Sequence, residues 1–110
     1  MLEQMKDIFA GADKSPAVFY TVQGDNGREL VLKLPDMTIP YDAETKLTLV
    51  LPSGTVTTAS GTVDGQTVIV PLSSQNLAEY GRLVGQLQLK SDDLRVTSYA
   101  FYVENEEALT

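Results

Sequence analysis

Four stretches of this chain alternate apolar and polar residues with a period of two. They are Leu30-Leu32-Leu34, Leu47-Leu49-Leu51, Val68-Val70-Leu72 and Leu83-Gly85-Leu87-Leu89. A period of two places one file of side chains on each face of a β-strand, so each stretch predicts a strand with one buried face. Val18-Tyr20-Val22 repeats the pattern near the start, and Tyr99-Phe101-Val103 repeats it near the end. The intervals hold turn residues: Gly24-Asp25-Asn26-Gly27, Pro35 to Pro40, Pro52-Ser53-Gly54, Asp64-Gly65 and Ser91-Asp92-Asp93. Short strands with turns every eight to twelve residues predict a two-layer antiparallel sandwich, with an open barrel as the alternative.

The stretch from Thr67 to Glu104 sets the rest. Pro71 has no N–H to give a ladder, so its strand lies at an edge or ends there. Ser73 or Ser74 can cap a one-turn helical corner, Leu77 points inward, and Gly81 ends the turn. The order strand, helical corner, hairpin is that of an immunoglobulin-like sandwich near its C-terminus. Leu83 stands two residues after the corner glycine, where immunoglobulin domains commonly carry a tyrosine. Val18–Val22 and Leu30–Leu34 are expected to pair as a hairpin about Gly24–Gly27. Thr55–Ala59 is β-prone but weakly apolar, which predicts an edge strand.

The first residues read differently. Leu2, Met5 and Ile8 recur at helical spacing and Gly11 can end a turn, so Leu2–Ala10 is expected to form a short helix. Such a helix needs something to pack against, because an isolated one this short does not recover its nucleation cost. The expected organisation is an arm with a short helix over residues 1–16, an all-β sandwich over 17–104 and a tail over 105–110.

Composition bounds the chemistry. The net charge is −7 with only eight basic residues, so nucleic acid and anionic membrane surfaces are not expected partners. No apolar run approaches bilayer length, and the N-terminus lacks the pattern of a secretory signal. There is no His and no Cys. A Ser–His–Asp or Cys–His nucleophile cannot be assembled, and a conventional zinc site is not expected. Asp92-Asp93 reads as a polar turn, and Glu106 and Glu107 as a solvated tail. Asp25 and Asn26 could begin a calcium loop, but Arg28 stands where a further oxygen ligand would fall, so a plain turn is expected. A carboxylate-only hydrolase is a remote reading. The expectation is a non-enzymatic domain with no cofactor and no metal.

The apolar residues outside the core files mark a candidate interface. On the closing strand Val96, Ala100 and Tyr102 form a second file, interrupted only by Ser98, and Val84 adds to it from the strand before. An exposed apolar patch on a small domain marks an interaction surface. The stripe Leu2, Met5 and Ile8 is complementary, so the patch is expected to be covered by the chain's own arm or by a partner. Tyr20, Tyr41, Tyr80, Tyr99 and Tyr102 could form a sugar-stacking platform; without Trp they read as core or interface.

Two runs resemble a known family. The first is Ile39-Pro40-Tyr41-Asp42 followed by Leu47-Thr48-Leu49-Val50-Leu51-Pro52-Ser53-Gly54-Thr55-Val56. The second comprises Val68-Ile69-Val70-Pro71-Leu72, Leu77-Ala78-Glu79-Tyr80-Gly81, Gly85-Gln86-Leu87-Gln88-Leu89, Arg95-Val96-Thr97-Ser98 and Phe101-Tyr102-Val103-Glu104. Together, over Val18 to Glu104, they resemble the N-terminal domain of phage baseplate upper proteins. The resemblance implies a β-sandwich on the tail baseplate of a phage infecting Gram-positive bacteria, made in the host cytoplasm and carried in the virion. It implies other tail and baseplate proteins as partners, homo-oligomers among the options, and a role in anchoring receptor-binding parts. The N-terminal helix and the end of the chain just after the sandwich depart from the family pattern. The alternative is an immunoglobulin-like module of a bacterial surface protein, with carbohydrate as a candidate ligand.

Overall fold

The computed structural model describes residues 3–7, 17–34, 38–92, 95–98 and 100–109. These form ten strands and no helix: β1 (Glu3–Asp7), β2 (Val18–Val22), β3 (Arg28–Lys33), β4 (Glu44–Val50), β5 (Val56–Ala59), β6 (Thr62–Asp64), β7 (Thr67–Leu72), β8 (Gly81–Lys90), β9 (Arg95–Thr97) and β10 (Phe101–Glu106). The smaller sheet runs β1-β3-β7-β6. The larger runs β2-β10-β8-β4-β5, with β9 also beside β8.

The inward files of both sheets meet in one core. Leu30 and Leu32 of β3 and Val68 and Val70 of β7 pack with Leu47 and Leu49 of β4, Leu83, Leu87 and Leu89 of β8, and Phe101 and Val103 of β10. Phe19 and Phe101 meet edge to face with centroids 5.4 Å apart, a favoured aromatic geometry. Gly85 lies beneath this pair: a Cβ there would stand 2.6 Å from the Phe101 ring. The expected edge strand is β5. Pro71 lies one residue before the end of β7, opposite Glu29 of β3, and β6 pairs only Thr67 to Ile69, so its β6 side has no ladder partner.

Several expectations are corrected. The N-terminal segment is not helical where it is described. Glu3–Asp7 is a strand parallel to β3, with Met5 in register with Val31. Pairing with an existing edge satisfies the backbone at once, whereas a lone helical turn fixes several dihedrals for one hydrogen bond. Leu2 and Ile8 to Ala10 lie outside the described residues. The corner at 73–80 is a run of turns without helix. The Asn76 side chain takes the Ser73 N–H at 2.9 Å and hydroxyl at 3.0 Å, closing a tight loop where a serine cap would have opened a helix.

β2 and β3 do not form a hairpin. β2 pairs β10 in parallel while β3 pairs β7 in the other sheet, so 23–27 arches between layers. Gly24 (φ 77°) and Gly27 (φ 90°) supply the reversal. The sheets are therefore mixed, with two parallel pairs, and not wholly antiparallel.

Three side chains fasten the layers. Buried Asn105 accepts the Thr21 hydroxyl at 2.8 Å and donates to the carbonyls of Leu77 at 3.0 Å and Glu79 at 2.8 Å. Asn76 donates to Thr57 Oγ1 at 3.0 Å and to the Thr58 carbonyl at 3.3 Å, tying the corner to β5. The Thr45 hydroxyl both donates to and accepts from the Gly61 backbone at 2.7 Å. Of these, Asn105 and Asn76 supply the polar closure of the corner that Leu83 cannot.

Candidate docking face

The outer face of the larger sheet is built by register. On β8, Leu83, Gly85, Leu87 and Leu89 point inward, which turns Arg82, Val84, Gln86, Gln88 and Lys90 outward. Val84 stands opposite Tyr102 of β10 and, on its other side, opposite Val50 of β4. Val50 in turn pairs Val56 of β5, and Tyr102 pairs Val18 of β2. The result is an apolar row, Val56-Val50-Val84-Tyr102-Val18, crossing five strands side by side. Val56 is 58% exposed, Val84 38% and Val50 37%; Tyr102 and Val18 are half-buried.

Polar groups flank the row. The Arg82 guanidinium lies over the Tyr102 ring, 4.6 Å from its centroid, and its Nε bonds Glu104 Oε1 at 2.5 Å. An exposed ion pair contributes little by itself; here it holds the cation on the ring. Tyr20 adjoins Glu104 in register and is 56% exposed. Beyond, Lys46, Lys90 and Arg95 cluster at one end of the face and Glu104 and Glu106 at the other, with Glu44 opposite Lys90. Four of the chain's eight basic residues thus stand on this face of a chain with net charge −7.

Of the residues expected at an interface, Val84 and Tyr102 are brought together, and Ala100 is exposed just before β10. Val96 falls elsewhere. It pairs Leu89 while Phe101 pairs Gly85, so five residue steps on one strand oppose four on the other. This one-residue bulge reverses the alternation and puts Val96 on the Leu89 side, towards the core. Ser98 lies in the bulge, and its Oγ accepts the Leu87 N–H at 3.0 Å. Met5 lies in the other sheet, in register with Val31, away from the row; Leu2 and Ile8 lie outside the described residues. Val18, Val50 and Val56 were missed. Val50 was legible as the outward residue between Leu49 and Leu51, but only the strand order aligns it with Val84.

A concavity of about 630 Å3 is lined by Thr38, Pro40, Asp42, Glu44, Lys90, Ser91 and Asp92. Among the described residues no three Asp or Glu side chains gather closely enough to hold a metal ion. Asp25, the calcium-loop candidate, bonds Arg28 Nε at 2.8 Å. No protein-family model matches the chain, and no curated protein matches it.

Proposed function

We propose that this chain is a non-enzymatic structural module of a phage or prophage tail baseplate, working by protein–protein docking and anchoring receptor-binding parts. The observation that carries the docking reading is the apolar row across the larger sheet. A wetted sheet face is ordinarily polar; this one carries a continuous apolar row, and Tyr102 with Arg82 over its ring supplies two residue types enriched at interface hot spots. The resemblance over Val18 to Glu104 supplies the baseplate setting and the virion as its location. The finer fold reading is an immunoglobulin-like sandwich. It is supported by the strand order: β3-β7-β6 follows B-E-D and β10-β8-β4-β5 follows G-F-C-C′, whereas β1, parallel to β3, departs from the antiparallel strand A.

The second reading, a carbohydrate-binding surface module, is favoured by the exposed Tyr20. It is weakened at Tyr102, whose ring face carries the Arg82 guanidinium where a sugar would stack. A tagged full-length chain separates the two. Capture of tail proteins encoded at the same locus supports the baseplate reading. Retention on cell-wall polysaccharide without capture of any tail protein would replace it with the second.

A further inference from the structure

We infer that the occupant of the apolar row is a second copy of this chain, docked face to face about a two-fold axis that lies along the row. This rests on the reading of the chain as an assembly module. An isologous contact needs a surface complementary to itself. Rotation about an axis along the row returns the row to itself, so Val84 meets Val84 and Tyr102 meets Tyr102. The same rotation exchanges the two ends of the face. Lys46 lies four residues from Val50 on one side, and Glu106 lies four residues from Tyr102 on the other, because β4 and β10 both run antiparallel to β8. Each is displaced from the row by about 13 Å along its strand. The basic end, Lys46 with Lys90 and Arg95, therefore faces the end of the second copy that carries Glu106 and the Arg82–Glu104 pair, with Lys46 and Glu106 offset by two strands, about 10 Å.

The chain's own arm does not compete where it is described, since Glu3–Asp7 is paired with β3 in the other sheet. The face spans five strands at about 4.8 Å spacing and about 26 Å along them, roughly 600 Å2 a copy. Roughly 1,200 Å2 in total is the lower end of specific interfaces, so the dimer is reversible.

Sedimentation equilibrium of the full chain from about 1 µM to 1 mM tests this, the range expected for an interface of that size. A monomer–dimer equilibrium is expected. Val84→Lys should weaken it tenfold or more, with unchanged unfolding, while Gln66→Lys in the β6–β7 turn leaves it unaltered. At low ionic strength Lys46→Glu and Glu106→Lys should each weaken the dimer, and the two together should recover part of the loss. A monomer throughout, a dimer indifferent to Val84→Lys, or no recovery in the double variant would overturn the inference. Capture of tail proteins by a strictly monomeric chain would refute the dimer and leave the baseplate reading standing.

Discussion

Asn105 of β10 accepts the Thr21 hydroxyl of β2 at 2.8 Å, and the same side chain donates to two carbonyls of the corner. One buried amide therefore satisfies three groups from two other segments. Asn105→Leu should destabilise the domain by about 2–4 kcal/mol, because buried partners left unsatisfied cost about 1–3 kcal/mol each and part of the site can rehydrate. Urea unfolding measures it. The neighbouring exposed Glu106→Gln should stay within about 0.5 kcal/mol.

Leu87 lies at the centre of the core, in register with Leu47. Leu87→Ala should cost about 2–5 kcal/mol through lost transfer energy and the cavity left behind. A midpoint shift worth less than about 1 kcal/mol would place Leu87 outside the cooperative core.

Gly85 should tolerate no side chain. The added Cβ would meet Phe101 at 2.6 Å and a Leu49 methyl at 3.2 Å. Gly85→Ala should destabilise by about 1–3 kcal/mol, the usual cost of overpacking, and weaken the near-ultraviolet signal as Phe101 leaves Phe19. An unchanged spectrum and midpoint would show that the ring pair relaxes freely.

Calcium or zinc at low micromolar concentration should leave the melting temperature unchanged. Asp25 is engaged with Arg28, and a ligand stabilises a fold only in proportion to its occupancy of the native state. A rise of several degrees would reveal a site.

The sequence announces local periodicity and is silent on what periodicity leaves open. The core files of β3, β4, β7 and β8 were legible because each repeats its apolar residue over several positions. Leu49, Val70, Leu87 and Phe101 share one core, as their central places in the files of β4, β7, β8 and β10 predict. Gly24 to Gly27 announced a reversal, but a turn does not say whether the strands it joins pair or part; the parallel ladder between β2 and β10 decided that. The helical spacing of Leu2, Met5 and Ile8 competed with an open edge on β3, and over Glu3–Asp7 the edge prevailed. The bulge near Ser98 has no periodic signature, so simple alternation puts Val96 on the Tyr102 face whereas the register puts it on the Leu89 face. The docking row was invisible as a row, since its five members come from five strands.

The amide of Asn76 on the Thr58 carbonyl has a consequence for solubility. β5 borders the larger sheet, and an uncovered border strand is a template on which another chain can crystallise its own backbone into a growing fibril. The corner loop plugs one of the acceptor sites such growth would use, and Asn76→Ala would reopen it.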